Sequence, residues 1–279
     1  MTMLQYQELV KSLTKRDILA GFPDVVPLAK ISGVPSSSSS TSSTSKQNQV
    51  DHYFEGHDLE QIKLMDENCI VLDYNDIPIG AGTKKLCHLI NNIEAGLLHR
   101  AFSVFLFNNE NKLLLQQRAD EKITFPSMWT NTCCSHPLCV PSELGNKMHD
   151  LESSVKGVKI AAVRKLQQEL GIESKDIPIN DFKFLTRIHY KAGNGDGIWG
   201  EHEIDYILVI KANPNLNLNL NEVKDIKYVG HQELKDMFKD PKLTFTPWFK
   251  LICDRYLFQW WDNLDELDGF VDNDIQRML

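Results

Sequence analysis

The 279-residue chain has no run of about 18 apolar residues, the length a helix needs to cross a bilayer. No transmembrane helix is expected. Its first residues, MTMLQYQELVKSL, lack the basic-then-apolar layout of a secretory signal. The chain is therefore expected in the cytoplasm, where thiols stay reduced. An excess of positive charge is also missing. The net charge of −8 argues against a protein that coats nucleic acid or anionic membrane. Neither is expected as a partner, and a monomer is the default. No internal repeat is present.

What remains is an ordinary soluble balance, 42% hydrophobic and 24% charged. Ser32–Gln49 reads SGVPSSSSSTSSTSKQNQ, a tract too polar to bury surface and expected to be disordered. It sets residues 1–50 apart as an extension, in which LTKRDILAGF is expected to form a short helix. Residues 51–279 read as one α/β or α+β domain. CIVLDYND suggests a strand entering a turn, and TKKLCHLINNIEAG a helix with a glycine stop. RAFSVFLFNNENKLLLQQRA suggests a hairpin. VKGVKIAAVRKLQQELGI is an amphipathic helix ended by Gly171. FKFLTRIHYKA and GEHEIDYILVIKA are strands about a Gly-rich loop. EVKDIKYVG and HQELKDMF repeat strand then helix, and a long aromatic helix is expected over 246–264.

WTNTCCSHPL, 129–138, carries the oddest chemistry. Cysteine beside histidine suggests a metal, a nucleophile or a disulfide. Adjacent Cys133 and Cys134 cannot bridge each other without strain. In GEHEID, Glu201 and Glu203 stand at i and i+2, which on a strand puts both carboxylates on one face. With His88, His99 and His136 they supply a mixed N/O donor set for a divalent ion. The spacing of the histidines is no motif, and the sequence alone does not join them.

RKLQQELGI matches the tail of the Nudix box, G-x5-E-x7-R-E-U-x-E-E-x-G-U, at Arg164, Leu166, Glu169, Gly171 and Ile172. The other carboxylate positions hold Lys156, Lys165 and Gln168. One metal-facing glutamate is kept and the hydrolytic set is lost. An ordinary amphipathic helix fits this stretch as well. Three further segments make the likeness specific: TKKLCHL, LLQQRADEKITFPSMWTNTCCSHPL and HYKAGNGDGIWGEHEIDYIL. With them, from about His57 to the C-terminus, the chain resembles type I isopentenyl-diphosphate Δ-isomerases of the fungal and animal-like kind.

The resemblance implies a Nudix-like mixed β-sheet sandwiched by helices, with its core at about 97–250. It implies interconversion of isopentenyl and dimethylallyl diphosphate through a tertiary carbocation, in isoprenoid and sterol biosynthesis. Cys134 and Glu203 would be the acid/base pair, with Cys133 outside the family pattern. His88, His99, His136, Glu201 and Glu203 would hold Zn²⁺, Mn²⁺ or Mg²⁺. Glu169 would meet a second ion, Mg²⁺, on the substrate diphosphate. Lys84, Arg118, Lys122 and Ser135 would clamp that diphosphate. Tyr190 and Trp248 would face the cation; packing is the competing role for Trp248.

Two other readings stay open. A Nudix hydrolase would share the fold and metal but leave Cys134 without a task. A zinc-stabilised interaction module would use Cys133, Cys134, His136 and Cys139, against the spacing that lets two sulfurs reach one ion. The terminal Arg-Met-Leu is a weak likeness to a peroxisomal address.

Overall fold

The computed structural model describes residues 1–31, 52–145 and 150–279. The serine tract lies outside them. The elements ahead of the centre are α1 (Met3–Ser12), α2 (Lys15–Gly21), β1 (Val26–Pro27), β2 (Asn68–Leu72) and β3 (Pro78–Thr83). Then come α3 (Lys84–His88), α4 (Ile90–Glu94), β4 (Leu98–Phe107), β5 (Leu113–Arg118), β6 (Trp129–Thr130) and β7 (Cys133–Ser135). After α5 (Pro141–Leu144) and α6 (Leu151–Leu170) follow β8 (Lys183–Gly193), β9 (Gly200–Lys211) and β10 (Val223–Val229). α7 (His231–Met237), α8 (Pro247–Ile252), α9 (Phe258–Trp261) and β11 (Ile275–Arg277) complete the chain.

The eleven strands of the described residues share one mixed sheet, with β1-β3-β2-β4-β9-β8-β11 as its main path. β4 runs parallel to β9, in register from His99↔Glu203 to Phe107↔Lys211. β9 is antiparallel to β8, and β11 adds parallel to β8. Both central strands are buried on both faces, so they read as nearly continuous apolar sequence. The exceptions are His99, Arg100 and Ser103 in β4 and Glu201–His202–Glu203 with Asp205 in β9, and their burial costs desolvation.

Helices cover both faces. On one, Val158, Ala161, Ala162 and Leu166 of α6 pack on Phe102, Val104, Ile204 and Leu208. On the other, Trp248, Phe249 and Ile252 of α8 pack against Phe105, Ile207 and Val209. Each fully buried Val, Leu, Ile or Phe side chain among these contributes about 1.5–3 kcal/mol. α6 starts at its Asp150 cap, which accepts from the Ser153 amide, and stops at Gly171 with φ +66°. The segment ahead of the serine tract joins this core: Tyr6 and Val10 of α1 pack with the first cluster, and β1 pairs with β3.

Three elements differ from expectation. The helix expected from TKKLCHLINNIEAG is two, α3 and α4. Leu89 between them is extended because its backbone bridges Trp199 in the Gly-rich hairpin. β4 and β5 pair only at Phe107↔Leu113, since β9 and β7 take the edges of β4 and β10 takes β5. The helix expected over 246–264 contains a wide turn at Cys253–Leu257 and ends at Trp261.

Candidate active site

His99 of β4 stands in register with Glu203 of β9. Glu201 lies two residues earlier on the same face, His88 ends α3, and His136 follows β7. One donor atom from each of these five residues lies within 4.8 Å of all the others. The His88 Nδ1–H donates to the Lys84 carbonyl at 2.6 Å, which leaves Nε2 bare. That nitrogen sits 2.8 Å from Glu201 Oε2, yet neither atom is hydrogen-bonded. His99 Nε2, 3.2 Å from Glu203 Oε1, is likewise without a hydrogen bond. Converging lone pairs on buried atoms are costly unless an ion sits among them. The donor set therefore fits a divalent cation. Burial, with His88 and His99 nearby, pushes His136 well below the usual imidazole value, so its ring stays unprotonated, the form a metal requires.

A pocket opens beside this cluster and is lined by Cys134, Tyr190, Glu203 and Trp248. The Tyr190 hydroxyl donates to Glu203 Oε2 at 2.5 Å. Burial raises the Glu203 pKa, but contacts from His99 and Tyr190 outweigh it and hold the carboxyl below its ordinary value. Cys134 lies across β4 from Glu203, on the strand that pairs with Ser103. Burial pushes its thiol up to about 12, against the opposing pull of Arg118. Trp248 is held by a bond from its Nε1 to Asn131 (3.2 Å) and by Phe125 edge-on at 5.2 Å.

Lys84, Arg118, Lys122, Ser135 and Glu169 line the same pocket. Arg118 is fixed by the Phe125 and Thr124 carbonyls at 2.9 and 2.7 Å, leaving Nη1 3.8 Å from Cys134 Sγ. Lys122 forms a buried pair with Glu222. Glu169 stands outside the five-residue cluster; its Oε1 is 3.1 Å from Lys165 Nζ. Every residue that the resemblance assigned to the isomerase site is thus in the pocket or the donor cluster. Lys165 was missed as a pocket residue, although it also lines the pocket. Its signal was a lysine standing where the Nudix box has a carboxylate. Asp205, on the same face of β9, holds the Ser103 hydroxyl at 2.8 Å, and burial and Glu203 raise its carboxyl well above the ordinary range.

The zinc-module set is not assembled: of its four residues only His136 joins the donor cluster. All six cysteines are free thiols. No helix among the described residues is long and apolar enough to cross a membrane.

Residues 97–249 match the NUDIX domain family, which fixes the class that this sheet, helix α6 and metal-type cluster define. The chain is 61% identical to the isopentenyl-diphosphate delta-isomerase of Candida albicans, over 99% of each chain. It is 64% identical to that of Gibberella zeae, over 80% of this chain and 87% of the relative. The Schizosaccharomyces pombe protein of the same name is 59% identical, over 79% and 95%. The chain belongs to the isopentenyl-diphosphate delta-isomerase family, an enzyme family within the NUDIX fold.

Proposed function

We propose that this enzyme interconverts isopentenyl diphosphate and dimethylallyl diphosphate. The observation that carries the reading is one pocket that holds a half-buried thiol, whose pKa burial raises, and a buried carboxyl held below its ordinary value, beside a cation-binding donor set. A 1,3-proton shift needs such a pair, one group holding a proton and the other lacking it. In this reading Cys134 arrives with the proton and Glu203 without it. The S–H proton goes to the terminal alkene carbon, and the π electrons form the new C–H bond. The tertiary cation lies under Trp248 and Tyr190, whose ring faces attract it. Loss of a proton from C2 to Glu203 returns the electron pair as the new double bond. Tyr190 holds Glu203 in place through its hydroxyl.

Lys84, Arg118, Lys122, Ser135 and Lys165 serve as the diphosphate clamp, with Arg118 as the planar donor and the lysines as point charges. A divalent ion at the His/Glu cluster, of zinc, manganese or magnesium type, would lock Glu203 and keep it ionised. Glu169 would receive a magnesium ion brought with the diphosphate. A hydrolytic reading has little support, because the carboxylate positions of the box hold Lys156, Lys165 and Gln168. We further assign the catalytic unit to residues 51–279, with 1–50 as an extension whose α1 and β1 pack onto it. The protein works as a cytoplasmic monomer supplying isoprenoid and sterol synthesis.

The test is incubation with isopentenyl diphosphate and Mg²⁺ in D₂O, followed by NMR. Deuterium entering dimethylallyl diphosphate without phosphate release is the expected result. Released phosphate would establish a hydrolase instead.

A further inference from the structure

Behind the pocket lies a second polar group that the proposed reaction does not use. His202 falls between Glu201 and Glu203, so its ring points to the opposite face of β9. His189 stands likewise beside Tyr190 in β8. Both rings are fully buried. His202 Nδ1 is 2.7 Å from the Leu97 carbonyl oxygen and 3.1 Å from the Tyr6 hydroxyl. Its Nε2 meets His189 Nε2 at 2.9 Å, and His189 Nδ1 lies 2.7 Å from Arg277 Nη1.

The two ends of this line fix every proton in it. A carbonyl only accepts, so His202 Nδ1 carries a hydrogen. A guanidinium only donates, so His189 Nδ1 is bare. Between them the His189 Nε2–H donates to a bare His202 Nε2. The Tyr6 hydroxyl donates to the Ile93 carbonyl at 2.5 Å, which leaves its oxygen free to accept from His202. One arrangement satisfies all of these atoms.

The line also joins the two ends of the chain. Tyr6 belongs to α1, and the Lys191 ammonium lies 3.7 Å over its ring. Arg277 belongs to β11, opposite His189 in the parallel register. It stacks 3.6 Å over Tyr74 and donates to that residue's carbonyl at 2.6 Å. Adjacent side chains of a strand share one pleat, so a ring held at 202 fixes the rotation at which 201 and 203 leave the other face. Apolar side chains would fill this space at lower desolvation cost. What hydrogen bonds add is direction.

We infer that Tyr6, His202, His189 and Arg277 are positioning residues, which hold Glu201, Glu203 and Tyr190 in place from behind and tie the geometry of the metal site to both chain ends. The catalytic half of this inference rests on the isomerase reading; the metal-site half does not.

The experiment uses the full-length chain and its Arg277→Met, Arg277→Lys and Tyr6→Phe variants. Zn²⁺ alone is titrated against a competing chelator, and thermal midpoint, kcat and KM for isopentenyl diphosphate are recorded. Arg277→Met is expected to weaken Zn²⁺ binding about three- to tenfold, short of the larger loss that follows removal of a group bonded directly to a ligand. Its kcat falls while KM stays within about twofold. Arg277→Lys keeps a donor for His189 and recovers most of both. Tyr6→Phe gives a smaller loss of the same sign. A variant set that lowers the thermal midpoint but keeps Zn²⁺ affinity and kcat within about twofold of wild type overturns the inference. Should Arg277→Met not fold, Tyr6→Phe decides by the same criterion. A wild type that binds Zn²⁺ but does not turn over sinks the isomerase reading alone, and the affinity comparison still decides the positioning role.

Discussion

Cys133 and Cys134 are consecutive in β7 and face opposite sides of the sheet. Cys133 packs in the cluster under α6, 3.6 Å from Glu169 Oε2, whereas Cys134 lies against the cluster that contains Tyr190 and Trp248. Strand alternation alone separates them. Two sulfurs so placed cannot ligate one ion or share one reaction.

Their substitutions should therefore differ in kind. Cys134→Ala is expected to abolish isomerisation with the fold intact. Cys133→Ala should retain most turnover but lose about 1–2 kcal/mol of stability to the cavity it leaves. Turnover assays alongside urea denaturation separate the two, and substantial activity in Cys134→Ala would remove the thiol from the mechanism.

The pH dependence follows from the same pair. An acid whose pKa is raised stays protonated to higher pH; a carboxyl whose pKa is lowered stays ionised to lower pH. The thiol is pushed up to about 12 and Glu203 is held down, so the working range widens at both ends. A profile of kcat/KM should stay flat through the ordinary thiol value of about 8.5. A falling limb centred there would show Cys134 to be unperturbed or uninvolved.

Tyr190→Phe keeps the ring and removes only the hydroxyl that donates to Glu203. It should lower kcat at least about tenfold and change KM little, because the bond orients the base rather than the diphosphate. An equal rise in KM would point to substrate binding instead.

Lys122→Met leaves Glu222 buried and unpaired, at a cost of about 3 kcal/mol. Adding Glu222→Gln should restore most of the stability. It should not restore a low KM, since the pocket still lacks the Lys122 charge. Thermal melts and Michaelis curves on the single and double variants test both statements.

Reading the sequence reached the fold class because the evidence was local: the glycine-stopped helix before Ile172, the paired strands around the Gly-rich loop, the interrupted Nudix box. It misjudged elements whose shape depends on distant partners. Leu89 is extended because Trp199 claims its backbone, and β5 leaves β4 because β10 claims its edge. Lys165 escaped notice as a pocket residue because nothing in a helix pattern says that one lysine faces a cavity.

By itself the sequence determined the donor types and their spacing on each strand: Glu201 and Glu203 two apart, Cys133 and Cys134 adjacent, one carboxylate kept in the box. Those follow from the two-residue repeat of a strand and from which side chains can carry a proton or a metal. Only the tertiary structure decided that His88, His99 and His136 meet those carboxylates within 4.8 Å. They come from α3, β4 and the end of β7, and only the register of β4 with β9 and β7, with α3 packed on that edge, brings them together. The pairing of β8 with β9 and with β11 set His202 against His189, and His189 against Arg277, behind the site; the second is a contact between residues 88 positions apart that no local pattern encodes.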